Sequence, residues 1–150
     1  MSMTSLVQAI RNAVAAEEAA AQFYSRLLSH TEDPSARQFL ERLVNEELDH
    51  ARLIDERGRQ LAGSDLPAAS DQFSELVETA PGWEHVEDVT LDEALEIALE
   101  AEQHACLYYT AVADAFQGPA AEFFEKLSRV EAEHAKRIQA LLEGSDRERV

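Results

Sequence analysis

The sequence predicts an all-α protein folded as an antiparallel four-helix bundle. Its 150 residues include only five glycines and four prolines, set between long stretches rich in Ala, Leu, Glu and Gln, which favour helices. Apolar residues recur at helical spacing over residues 4–30, 34–62, 91–117 and 119–143. We therefore expect a single domain, residues 1–150, in which four helices share one core.

The four segments form two helical hairpins, about residues 4–62 and 91–143, and within each hairpin a proline at a short turn separates the two helices. Pro34 and Pro119 stand where the second and fourth helices start, and a proline can begin a helix but cannot continue one. The intervening residues 63–90 are too many for a tight turn. They predict one long crossover between helices 2 and 3, a known connection in helix bundles.

The composition excludes several classes of function. Acidic residues outnumber basic ones 30 to 13, and the net charge of -17 disfavours binding to nucleic acids or anionic membranes but favours cations such as metal ions. The single cysteine, Cys106, excludes an intrachain disulfide and a CxxC thiolate site. Neither a signal-peptide core nor the roughly 20 apolar residues of a membrane span are found, so we expect a cytoplasmic protein.

The two hairpins look like copies of one another. Helices 1 and 3 align at an offset of 85 residues, and helices 2 and 4 align at an offset of 84. A glutamate in the first helix and a Glu-x-x-His motif in the second helix of each hairpin coincide in the two copies. The repeated positions are Glu17, Glu47, His50, Glu102, Glu131 and His134.

The alignment also decides between neighbouring glutamates. Glu18 pairs with Gln103, and Glu46 pairs with Val130. A site that uses both halves of the repeat equally cannot use Glu18 or Glu46, so we exclude both from the candidate site.

Each repeated glutamate interrupts an otherwise apolar helix face; Glu17, for example, lies between Val14 and Ala21. Burying an unpaired carboxylate costs several kcal/mol, and four would exceed the roughly 5 to 15 kcal/mol by which a domain is stable. With no lysine or arginine near them on these faces, two divalent cations are the expected neutralising charges. Carboxylate and imidazole ligands suit iron or manganese, and zinc is an alternative.

The spacing along the chain places all these ligands in one layer. The midpoint between Glu17 and Glu47 falls in the turn of the first hairpin, and the midpoint between Glu102 and Glu131 falls beside Gly118 and Pro119 at the turn of the second. Residues equidistant from a turn lie at the same height in an antiparallel hairpin. With about 1.5 Å of rise per residue, each pair lies roughly 22 Å from its turn, near mid-bundle.

This ligand pattern resembles the ferritin-like superfamily, in particular its bacterioferritin and rubrerythrin-like branches, over about residues 6–142. The resemblance implies a non-haem centre with two iron ions, in which the repeated positions act in pairs. Glu17 and Glu102 would be terminal ligands on one metal each, Glu47 and Glu131 would bridge the two metals, and His50 and His134 would each complete one metal.

The resemblance also implies an activity, the oxidation of Fe(II) by dioxygen or hydrogen peroxide, as in a ferroxidase or a rubrerythrin-like peroxide reductase. Repeated turnover would need an external electron donor, and we expect a homo-oligomer, a dimer or larger. Two alternatives stay open: an iron storage or delivery protein that acts with a shell or a partner, and a non-enzymatic helical interaction module that the metal stabilises.

Two departures from the family patterns narrow these expectations. Rubrerythrins add a cysteine-bearing rubredoxin domain, not found in these residues, and a further glutamate where this chain has Ala105. Bacterioferritins usually carry a haem-binding methionine just after the second-helix glutamate, but here Leu48 and Asp49 follow Glu47. We therefore expect the symmetrical six-ligand site and no haem.

Two tyrosines extend the repeat. Tyr24 and Tyr109 each follow a repeated glutamate, Glu17 or Glu102, by seven residues and lie on the same helix face. We expect each hydroxyl to bond a ligand on a facing helix; the alternative is plain core packing.

The other candidate side chains lack a repeated partner. Cys106 occupies a core-facing position, where we expect a small buried apolar residue. His30, His85 and His104 have no histidine at the matching positions, so they are expected on the surface or in loops.

Overall fold

A computed structural model of the chain describes residues 3–63 and 90–148. These residues form four α-helices and no strand, and the helices pack as two hairpins, α1 with α2 and α3 with α4. The prediction of an all-α four-helix bundle is confirmed. The predicted crossover, residues 63–90, lies outside the described residues except at its two ends. The helices are α1 (Met3–Ser29), α2 (Pro34–Ala62), α3 (Leu91–Ala115) and α4 (Pro119–Glu148).

Local signals at both ends define α2. The Asp33 carboxylate accepts a hydrogen bond of 2.8 Å from the backbone N–H of Ala36, and Pro34, which has no N–H, occupies the first turn. Two positions of the first turn therefore leave no N–H group in need of an acceptor. At the other end Gly63 takes the left-handed conformation with φ 69°, and its N–H donates to the Arg59 carbonyl. This is the glycine cap that ends many helices.

The ends of the second hairpin differ in one respect from the sequence prediction. The Thr90 hydroxyl accepts a 3.1 Å hydrogen bond from the Glu93 N–H and starts α3 as a capping residue should. The last helix, however, continues past the predicted end at residue 143 to Glu148. Gly144 keeps a negative φ, and a glycine without a left-handed cap costs a helix only about 1 kcal/mol relative to alanine.

The apolar core consists of two clusters, one toward each end of the bundle, and the repeated glutamates lie between them. Cys106 is half-buried rather than buried, and its Sγ lies 3.3 Å from the Ser128 hydroxyl, while Ala105 takes the fully buried position. The expectation that Cys106 is buried was therefore wrong, and the buried residue is its neighbour Ala105. The largest side chains of the clusters are Ile10, Ile54, Tyr109 and Phe124 in one, and Phe23, Tyr24, Leu40, Leu95 and Ile138 in the other.

None of the helices in the described part of the chain has the length and hydropathy needed to cross a bilayer.

Candidate metal centre

The four repeated glutamates lie inside the bundle. Glu17, Glu47 and Glu131 are 0% exposed and Glu102 is 1% exposed, although glutamate is almost never fully buried unless it is paired. Each of the four helices contributes one of them. They are buried because each stands in place of an apolar residue on the face that its helix turns toward the core. A compensating positive charge is therefore required in this layer.

Both histidines of the Glu-x-x-His motifs lie beside these carboxylates. Glu47, His50, Glu131 and His134 each offer one ligand atom, and these atoms lie within 4.8 Å of one another. The two imidazole rings stack with their centroids 5.3 Å apart and their planes at 17°. Helices α2 and α4 thus supply a four-residue cluster of the kind that holds a metal ion.

The remaining two glutamates adjoin this cluster. Glu102 Oε2 lies 3.6 Å from His134 Nδ1. The Glu17 charge acts on both imidazoles and favours the protonated form of each. The structure therefore brings all six sequence-predicted positions together in one layer of the bundle.

The two tyrosines cross between the hairpins to reach these outer glutamates. The Tyr24 hydroxyl donates a hydrogen bond of 2.6 Å to Glu102 Oε1, and the Tyr109 hydroxyl donates one of 3.4 Å to Glu17 Oε1. Each tyrosine therefore contacts the glutamate of the other hairpin. Both rings are also fully buried, so packing accompanies the hydrogen bond rather than replacing it.

His134 lies among the carboxylates of this layer. Its Nδ1 lies 2.9 Å from Glu47 Oε1 and 3.8 Å from Glu131 Oε2. Burial alone would lower the pKa of His134, but the hydrogen bond and charge of Glu102, together with the charges of Glu17 and Glu46, outweigh burial and raise it. The carboxylates around His134 thus favour its protonated form.

The pKa of His50 is shifted in the opposite direction from that of His134. Burial is the largest influence on the pKa of His50 and lowers it, against the opposing charge of Glu17. Its buried Nδ1 has no hydrogen-bond partner among the described residues. A neutral imidazole with an available nitrogen is the form that binds metals.

The carboxylate oxygens also fit a metal. Burial would raise the pKa of Glu102, but hydrogen bonds with Glu131, His134 and Tyr24 outweigh it, and the pKa is lowered. In the described part of the chain, Glu17 Oε2 is buried without a hydrogen-bond partner, a costly arrangement for a charged oxygen. A divalent cation bound in this layer would satisfy that oxygen.

One ion pair beside the cluster was missed by the sequence analysis. Glu46 Oε2 lies 3.3 Å from His134 Nε2, and Arg137 Nη1 binds both oxygens of Glu46 at 2.8 and 2.6 Å. Arg137 thus binds Glu46 rather than one of the repeated glutamates. Glu46 was excluded because its repeat partner is Val130. The available signal was Arg137 itself, which follows His134 by three residues and so shares its helix face.

The unmatched histidines lie away from this layer. His30 and His104 are exposed, as predicted, and His85 lies outside the described residues. His104 approaches Glu100 on its own helix at 3.9 Å, which is an ordinary surface contact.

A comparison with known protein families identifies the family to which this chain belongs. The family model described as Rubrerythrin matches residues 2–58 and 93–150, more than half of the chain. The chain belongs to the Rubrerythrin family. This is a ferritin-like di-iron family, so membership implies a non-haem di-iron site, and the matched residues include every member of the layer. Comparison with curated proteins gives no match.

Proposed function

We propose that this Rubrerythrin-family chain binds two iron ions in the carboxylate layer and oxidises Fe(II) with dioxygen or hydrogen peroxide. The observation that carries the proposal is the burial of four glutamates at one level, each at most 1% exposed, beside two imidazoles. Two divalent cations would neutralise four carboxylates, and oxygen and nitrogen ligands suit iron.

The ligands divide into three pairs related by the internal repeat. The two glutamates bonded by tyrosines would each hold one metal, the two glutamates next to the stacked imidazoles would be shared by both metals, and each imidazole would complete one metal. In that order the pairs are Glu17 and Glu102, Glu47 and Glu131, and His50 and His134.

Two Fe(II) ions held there would supply two electrons, one from each ion, which with two protons would reduce dioxygen to hydrogen peroxide or hydrogen peroxide to two water molecules. The protein holds the ligands in place before this step. Tyr24 fixes one oxygen of Glu102 at 2.6 Å and leaves Oε2 for a metal. Glu46 faces Nε2 of His134 at 3.3 Å, which keeps Nδ1 directed at the carboxylates.

Three features of the setting belong to the same proposal. An external electron donor returns the iron to Fe(II) if the protein turns over repeatedly. The chain acts in the cytoplasm as a homo-oligomer, a dimer or larger. Light scattering of the purified protein tests the assembly, and a monomeric mass would contradict it.

Metal content tests the ligand assignment. We expect about two metal ions per chain in freshly purified protein or after anaerobic Fe(II) loading, and a large loss in Glu47→Ala, because a bridging ligand serves both metals. Glu18→Ala is the matched control, since Glu18 is an exposed glutamate that the repeat excludes. Equal metal content in the two variants would contradict the site.

Stopped-flow mixing tests the activity separately. Anaerobic Fe(II)-loaded protein is mixed with dioxygen or with hydrogen peroxide, and ferric absorbance is followed. We expect a fast phase with at least one oxidant. Full metal binding without such a phase would leave the metal a structural role and overturn the proposed oxidation.

A further inference from the structure

The surroundings of the two histidines differ, although the histidines occupy equivalent positions in the repeat. His134 is 2% exposed, and its outer nitrogen faces Glu46, which Arg137 binds with both carboxylate oxygens. His50 is only half-buried. An ion pair thus closes one side of the layer.

The repeat shows what stands on the other side. At the offset of 84 residues that relates α2 to α4, Glu46 corresponds to Val130 and Arg137 corresponds to Leu53. The charged pair that covers His134 is therefore replaced, beside His50, by an apolar pair. The difference lies outside the six ligand positions, where the two hairpins agree.

This apolar pair lines a cavity. A space of about 430 Å³ between α2 and α4 is bounded by His50, Leu53, Val130, Phe123 and Leu127, among others. Leu53 is 51% exposed, so the cavity has an apolar edge at the surface. It extends from the solvent to the outer face of one candidate ligand.

The charges at this cavity indicate what can pass. Arg57 and Lys126 are exposed residues of its lining, and Glu122 is the one acidic residue among the described residues that line it. The chain as a whole has a net charge of -17, but two cations against one anion make the lining of this cavity locally positive. A positive lining disfavours the approach of Fe(II). The apolar wall between them presents no such barrier to a neutral molecule, and apolar cavities hold small neutral molecules.

We propose that this cavity admits the small uncharged oxidant, dioxygen or hydrogen peroxide, to the His50 side of the metal centre, while the Glu46–Arg137 pair closes the His134 side. The proposal rests on the proposed function for the identity of the passing molecule. The existence of an open apolar path on one side can be tested without any metal.

The direct test transfers the closed arrangement to the open side. The double variant Leu53→Arg and Val130→Glu places the equivalent of the Arg137–Glu46 pair beside His50. We expect ferric absorbance to form at least about tenfold more slowly, a barrier increase of about 1.4 kcal/mol. Separate dioxygen and hydrogen peroxide arms identify the oxidant that uses the path. Unchanged rates in both arms, at unchanged metal content, would overturn the proposal.

Two single variants test the same path if the double variant does not fold. Val130→Phe fills the cavity with an apolar side chain and should slow the same reaction. Val44→Phe makes the same change at a half-buried position of α2 outside this cavity and should not slow it. An equal effect of the two phenylalanines would overturn the proposal.

Xenon pressure gives a readout that needs no iron. Xenon binds apolar cavities, so crystals of the metal-free parent should show a xenon atom between Leu53 and Val130, and crystals of Val130→Phe should not. A parent cavity without xenon would count against the path. If xenon binds but no variant oxidises iron, the proposed function fails and the open path stands.

Discussion

The two hairpins of this chain agree in what they direct into the bundle and differ in what surrounds it. Each contributes a buried glutamate and a Glu-x-x-His motif to the central layer. Yet the tyrosine of the first hairpin bonds the glutamate of the second at 2.6 Å, the tyrosine of the second bonds the glutamate of the first at 3.4 Å, and a charged pair covers only His134.

The difference teaches which positions the chemistry constrains. Under the proposed function, two equal cations at one level would require equal charge and similar ligands from each hairpin, and a change in one half would leave a buried charge uncompensated. The groups outside the ligands each touch only one half of the site. They can diverge, and their divergence gives a nearly symmetrical centre two unlike sides.

The tyrosine hydrogen bonds offer the strongest way to sharpen this comparison. Removing an outer-layer partner typically costs about 10–100-fold in metal affinity, and the shorter bond is the stronger one. We expect Tyr24→Phe to weaken metal binding toward the upper part of that range and Tyr109→Phe less. Anaerobic calorimetric titration of both variants with Fe(II) measures the ratio. A larger loss in Tyr109→Phe would reverse the ranking of the hairpins.

Helix packing distinguishes the hairpins a second time. A Cβ at Gly58 would overlap Cγ2 of Ile10, whereas the repeat partners of these residues, Leu142 and Leu95, both carry large side chains. Helices α1 and α2 therefore approach closely at this point. We expect Gly58→Ala to lower the free energy of unfolding by about 1–3 kcal/mol through overpacking.

Gly144→Ala is the control for that change. Nothing lies within 4 Å of a Cβ at Gly144, and this residue is helical, so the alanine should raise the free energy of unfolding by up to about 1 kcal/mol. Urea denaturation of both variants measures the two effects. Equal changes in the free energy of unfolding would show that the packing of α1 against α2 does not depend on the missing side chain at Gly58.

The two histidines predict a smaller, pH-dependent effect. In the metal-free protein the raised pKa of His134 means that its bound proton stabilises the fold below the unfolded value of about 6.5, and this stabilisation is lost as the pH rises through the raised pKa. A metal must displace the same proton, so metal affinity should rise with pH, by less than about tenfold per unit. Burial lowers the pKa of His50, so we expect no comparable contribution from His50.

Calorimetric titrations at several pH values, in buffers of different ionisation enthalpy, count the released protons. Glu46→Gln removes one of the charges that raise the pKa of His134, so in this variant the increase in affinity should shift to lower pH. An affinity independent of pH would remove the assigned role of the His134 proton.

The sequence by itself determined the four-helix class and the six inward-facing positions. Apolar periodicity marks the buried face of each helix, and Glu17, Glu47, Glu102 and Glu131 stand on those faces as acids. The repeat selected among neighbouring residues because equivalent positions in equivalent helices point the same way. Local signals such as Asp33 and Thr90 located helix starts, since a cap acts within one turn.

Only the tertiary structure decided the contacts between helices. The length of α4 beyond residue 143 depends on a backbone conformation at Gly144 that the residue type does not dictate. The approach of Arg137 to Glu46, and the apolar cavity formed where Leu53 and Val130 stand instead, depend on α2 and α4 facing each other at the height of the histidines. Residues 91 positions apart in the chain leave no local pattern, so their pairing follows from packing alone.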